Sequence, residues 1–150
     1  MPQPVLIAEP SPGPNPRAHW PVELQQEYME NMDNPCVGNI LVSETDEVRV
    51  WHFNLPKGER YTFHCHVLNY FWTCHSNGIA RGWYDDGRIQ DVHHYPGETK
   101  HFTFDKGEKF IHSVGNIGDT DLLFTTVEFK KGSANTPLVV PEEARLKVPS

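Results

Sequence analysis

From Val37 to Lys130 the chain falls into short runs rich in Val, Ile, Leu, Thr and aromatic residues, each closed by turn-forming residues. The runs cover residues 37–43, 47–54, 60–66, 69–75, 79–84, 88–93, 99–104, 109–114 and 121–130. Asp86-Gly87 has the composition of a tight hairpin turn, and Pro96-Gly97 marks another. Short strands at a spacing of about 8–12 residues predict an all-β sandwich or barrel. A chain of 150 residues is most simply one domain, with a core of useful size.

The flanks differ. Seven of the thirteen prolines fall in the first 21 residues, which rules out regular helix or a central strand there. This segment is expected as an extended arm that lies over the domain or crosses to a partner subunit, or else as a loose tail. Residues 22–32 (VELQQEYMENM) are helix-compatible, and Asn34-Pro35 ends the run. The expected organisation is therefore an arm with a short helix over 1–36, a β-barrel over 37–131, and a Pro-rich, charged tail over 132–150.

The net charge of −7 argues against nucleic acid or an anionic membrane as the main partner. No apolar run approaches the ~20 residues of a membrane span. The N-terminal residues lack the basic flank and apolar stretch of a secretory signal, so a cytoplasmic location is expected. Cys36, Cys65 and Cys74 are odd in number and contain no CxxC pair, which fits reduced thiols.

The chemistry concentrates in Gly58-Glu-Arg-Tyr-Thr-Phe-His64-Cys-His66. Residues i and i+2 of a strand share a face, so His64 and His66 project together, as two ligands of one metal require. His112, in Phe110-Ile-His-Ser-Val, supplies a third imidazole if the fold brings it opposite the pair. Cys65, between the two histidines, points the other way.

Residues 58–78 read G-x5-H-x-H-x4-F-x6-G, and His112 to Asn116 reads H-x3-N. This resembles the cupin superfamily, whose motifs are G-x5-H-x-H-x3/4-E-x6-G and G-x5-P-x-G-x2-H-x3-N. The first motif agrees in all its glycines and histidines. The second agrees in its histidine, its asparagine and the upstream Pro96-Gly97, but four residues rather than two separate Gly107 from His112. The resemblance spans residues 37–130 and is nearest to small single-domain cupins of the β-alanine-degradation type, which also carry Tyr four residues after H-x-H. It implies a jelly-roll β-barrel, and, together with the arm, a homodimer.

The cupin glutamate position falls on Phe71, or on Tyr70 with the shorter spacing. The resemblance thus implies a site of His64, His66 and His112 with no carboxylate. Neutral imidazoles suit Fe, Zn or Ni among others, and a metal so held keeps its full charge and open positions. Three-histidine cupin sites hold iron in thiol dioxygenases and in a diketone-cleaving dioxygenase. The expectation is an Fe(II)-dependent dioxygenase that chelates a small carbonyl or carboxylate compound, with O2 as co-substrate. Two alternatives stand beside it: a lyase or isomerase using Zn, Mn or Ni as Lewis acid, and a non-catalytic small-ligand sensor or carrier.

Further candidates follow from alternation. If the glutamate position faces inward, Asn69, Phe71 and Thr73 line the cavity. A shift of one residue puts Tyr70 and Trp72 there instead. Tyr70 either donates to or ligates the metal, or packs. Arg81 either clamps a substrate carboxylate or lies exposed. Glu108, two steps of alternation from His112, either replaces the missing carboxylate as ligand or base or belongs to a solvated turn. His52 either reaches the cavity or is a core histidine. His93, His94 and His101, around Pro96-Gly97, read as a rim cluster.

Overall fold

The computed structural model describes residues 4–149. Residues 1–3 of the expected arm and Ser150 of the expected tail lie outside the described residues. Ten strands form: β1 (Val5–Ala8), β2 (Ile40–Glu44), β3 (Val48–Leu55), β4 (Arg60–His66), β5 (Asn69–Cys74), β6 (Gly78–Tyr84), β7 (Ile89–His94), β8 (Thr99–Phe102), β9 (Phe110–Asn116) and β10 (Leu122–Phe129). They make two five-stranded sheets, ordered β1-β7-β6-β9-β4 and β2-β3-β10-β5-β8. Every pairing between these strands is antiparallel. Nine strands match the runs read from composition, with ends shifted by a few residues. The tenth, β1, lies inside the Pro-rich arm. It pairs with β7 as an edge strand, where proline neighbours are tolerated.

Period-2 alternation builds the interior. On β3, Trp51, Phe53 and Leu55 are buried while His52 and Asn54 are exposed. Phe53 and Leu55 meet Ala80 of β6 and Leu122 of β10 in the core. His52 pairs with Ile40 and Thr125 across the sheet and points outward.

The helix α1 (Val22–Glu30) covers the outer face of β4. Trp20 stacks on Phe63 at 5.4 Å, and Tyr28 meets the same ring edge-on at 5.4 Å. Glu27 takes two hydrogen bonds from the Arg60 guanidinium, at 2.7 and 2.8 Å, and one from the Thr62 hydroxyl at 2.8 Å. The Arg60 contact is the main reason the Glu27 carboxyl is held below its usual range. These contacts have a consequence for chemistry. Phe63 and Cys65 belong to the cluster under the helix, so His64 and His66 must face the other way. The helix stops two residues short of the expected Met32; the Asn31 side chain donates back to the Glu27 carbonyl at 2.8 Å.

The rest of the arm grips the β6–β7 turn. His19 and Trp20 both donate ring N–H groups to the Gly87 carbonyl, at 2.8 and 3.2 Å. Of the tail, Val140 packs with Trp51, Val37 and Leu41, and Arg145 bridges to Leu41. Cys36, Cys65 and Cys74 are free thiols. Among the described residues, no helix is long and apolar enough to cross a membrane.

Candidate metal centre

β4 and β9 run antiparallel with His64 directly opposite His112 and His66 opposite Phe110. This register brings the three imidazoles together: one nitrogen from each of His64, His66 and His112 lies within 4.8 Å of the others. The His64 and His112 ring centroids are 4.5 Å apart, and the His66 and His112 Nε2 atoms are 3.2 Å apart. Two nitrogens bound to one ion at ~2.1 Å stand about 3.0–3.4 Å apart, so the spacing fits a shared ion. His64 donates its Nδ1 proton to the Thr62 carbonyl at 2.9 Å, which leaves Nε2 with its lone pair free. His66 Nδ1 is buried without a hydrogen-bond partner. Stacking fixes that ring instead, face to face on Tyr70 at 4.1 Å.

Burial makes these imidazoles hard to protonate. It pushes the His64 pKa down to about 4. It holds His66 and His112 well below the ordinary histidine value, with the neighbouring rings adding to the effect. All three are neutral donors at pH 7, as metal ligation requires. The cluster contains no carboxylate.

The three histidines line a cavity of about 580 Å3 between the two sheets. Tyr70, Trp72, Phe102, Phe110 and Phe124 supply much of its wall. Tyr70 is 2% exposed and lies between His66 and Phe102, which stacks on its far face at 4.5 Å. Burial, followed by nearby Glu128 and Tyr84, keeps its phenol well above the ordinary value, so it stays protonated.

Several sequence candidates lie elsewhere. Tyr70 and Trp72 take the inward positions of β5. Phe71 instead packs on His101 and Phe129 on the opposite face, and Thr73 bonds the Thr99 hydroxyl at 2.9 Å. The connection through Val67 and Leu68 keeps the parity of His64 and His66 into β5, so the position four residues after His66 faces inward. Arg81 does not reach the cavity. Ala80, Gly82 and Tyr84 occupy the inward positions of β6, and Arg81 forms a two-point ion pair with its cross-strand partner Asp91, at 2.7 and 3.0 Å. Glu108 precedes β9, so alternation from His112 does not extend to it. It is exposed in the turn and accepts the Asp105 N–H at 2.6 Å. His52 is turned out to solvent, as the burial of Trp51 and Phe53 demands.

Two polar groups, Arg88 and Glu128, were not marked by the sequence, and His94, expected at the rim, belongs to the cavity wall. His94 lines the cavity, and its Nδ1 is 2.7 Å from Glu98 Oε1. Burial lowers the His94 pKa against the opposing pull of Glu98. Arg88 lines the cavity over Tyr84, 4.2 Å from the ring centroid. Glu128, 3% exposed, takes a 2.7 Å hydrogen bond from the Trp51 indole, and burial pushes its carboxyl up to about 7. The signal for Arg88 and His94 was alternation along 88–94, where both share one face.

No family model and no curated protein sequence matches the chain. Solved structures do. A cupin domain from Bordetella pertussis Tohama I superposes with a TM-score of 0.52 at 22% identity, over 67% of this chain and 99% of that one. A conserved protein with a double-stranded β-helix domain from Klebsiella pneumoniae gives 0.49 at 22% identity, over 68% and 86%. A cupin-family protein with the same fold from Methanocaldococcus jannaschii gives 0.47 at 20% identity, over 58% and 73%. The antiparallel sheets, their order and the first of these matches identify the chain as a cupin-type double-stranded β-helix, with a three-histidine cluster that could hold a metal ion inside it.

Proposed function

We propose that this protein is a metal-dependent cupin enzyme, an Fe(II)-dependent dioxygenase acting on a small carbonyl or carboxylate compound. The observation that carries the reading is the convergence of three neutral imidazoles on one point of an aromatic-walled cavity. A bound divalent ion would supply Lewis-acid polarisation of the substrate and, as iron, a site for O2. The chain's own residues do the rest. His64 is oriented by the Thr62 carbonyl, and His66 by the Tyr70 ring. The aromatic walls exclude water and favour a substrate with an apolar body. The protonated Tyr70 phenol is a hydrogen-bond donor, not an anion, beside the centre. An all-neutral ligand set leaves the ion's full charge for an anionic chelate, and the resemblance to three-histidine iron cupins supports the oxidative reading.

Small-molecule substrate, O2 and a cytoplasmic homodimer belong to the same proposal. Three free thiols support a reducing setting. Val5, Leu6 and Ile7 stand exposed on β1, the open edge of its sheet, and support self-association. The test is oxygen consumption by protein loaded anaerobically with Fe(II) or Zn(II), against a panel of diketones and keto acids. Uptake with Fe(II) alone, lost in His112→Ala, is the expected result. Equal anaerobic turnover with Zn(II) would replace the oxidative step by Lewis-acid lyase or isomerase chemistry, and no turnover with any metal would leave a ligand-binding role.

A further inference from the structure

Strand β7 presents a polar stripe to the otherwise aromatic cavity. Arg88, just before the strand, and Gln90, Val92 and His94 within it alternate onto the inner side. Arg88 stands at the metal end, because the Tyr84 ring beneath its guanidinium belongs to the cross-strand partner of His112.

The Arg88 side chain is 36% exposed, and its one ion-pair partner among the described residues is Asp86. Among the described residues, none takes a hydrogen bond from its side chain, and its Nε is buried. The nearest acid, Asp86, is half exposed, with Oδ2 at 3.5 Å from Nε. A guanidinium offers five donors in a fork that matches a carboxylate, and here the buried Nε is the donor left unmatched while the rest of the fork is open to a ligand. The other charged groups lining the cavity are Lys100 and Glu98, and Glu98 is already engaged by His94. The cavity is therefore locally cationic within a chain of net charge −7.

We propose that Arg88, with Gln90 beside it, reads a carboxylate on the substrate. The substrate class is then a small monocarboxylate with an apolar or aromatic body that lies along Tyr70 and Trp72. This inference rests on the reading of the cavity as the substrate site, but it does not require the metal.

The test is titration calorimetry of the full chain with phenylacetate and with its uncharged isostere phenylacetamide, in Ni(II)-loaded and metal-stripped protein. The wild type is expected to bind the acid about tenfold or more tightly than the amide in both forms, as a charge-assisted two-point contact provides. In metal-stripped protein Arg88→Gln is expected to erase that preference, and the variant's Ni(II) stoichiometry and melting temperature stay unchanged. Arg88→Lys keeps part of it. A preference absent from stripped wild type and present only in loaded protein, or one that survives Arg88→Gln in stripped protein, overturns the inference. A preference that needs Arg88 in a protein that takes up no Ni(II) supports the inference while the metal reading fails. Absence of saturable phenylacetate binding by the wild type also overturns it.

Discussion

Tyr70 occupies the inward position four residues after His66, where a glutamate ligand is expected at the shorter cupin spacing, and it does a different job there. Its ring is held between His66 and Phe102, so it orients a candidate ligand by packing. Tyr70→Ala should therefore cost about 3–5 kcal/mol in urea denaturation, as for other buried aromatics. Tyr70→Phe should retain stability to within ~1 kcal/mol and leave metal stoichiometry unchanged, since the stack survives. A fall in metal uptake in Tyr70→Phe would mean that the phenol oxygen is itself a ligand. At this scale the sequence was only partly legible. His64 and His66 share a face by spacing alone, and the motif marked His112. Whether Tyr70 or Phe71 turned inward depended on two connecting residues, Val67 and Leu68, whose geometry no periodicity records. Spacing alone leaves open which way Arg81 faces; Ala80, Gly82 and Tyr84 take the inward positions of β6 and turn it out.

At the scale of elements, the strands were legible because composition, alternation and turn residues agree from 37 to 130. β1 was not, because a four-residue edge strand among prolines carries too little pattern. The arm and the β6–β7 turn form one unit. Gly87 has a φ of +90°, and a Cβ there would meet the Pro16 carbonyl. Gly87→Ala should cost about 1–3 kcal/mol through backbone strain and the clash. It should also release the arm to limited proteolysis near Arg17, which an intact clamp resists.

The second sheet carries two carboxyl groups with opposite pH signatures. Glu44 on β2 is held down to about 2: burial raises it, but hydrogen bonds from Arg49, Arg145 and Lys130 prevail. Its contribution is present above pH 4.5 and is lost as pH falls towards 2. Glu44→Gln should therefore destabilise the neutral protein by roughly 1–2 kcal/mol, allowing for solvent screening, and the difference from wild type should vanish in acid. Glu128 on β10 behaves in reverse. Burial raises it to about 7 against 4.5 in the unfolded chain, so the folded state binds the extra proton between those values. Stability should fall by about 3 kcal/mol as pH rises across that window. Glu128→Gln should flatten that slope; an unchanged slope in denaturation series at pH 5, 6 and 7 would show that another group titrates.

For the whole molecule, the fold explains how a small acidic chain can present a neutral three-imidazole, apolar-walled centre. Two sheets enclose the cavity, a helix behind β4 fixes the direction of His64 and His66, and the β4–β9 register brings in His112. The barrel could be anticipated from strand spacing and motifs, whereas the charge pattern inside it depends on register across four strands and could not. Elemental analysis of the purified full chain, after loading and desalting, tests whether the three histidines hold one metal ion. About one divalent ion per wild-type chain is expected, and far less in His64→Ala, His66→Ala and His112→Ala, each still folded by circular dichroism; wild-type protein that takes up no metal, or variants that bind it undiminished, would contradict a three-histidine metal centre.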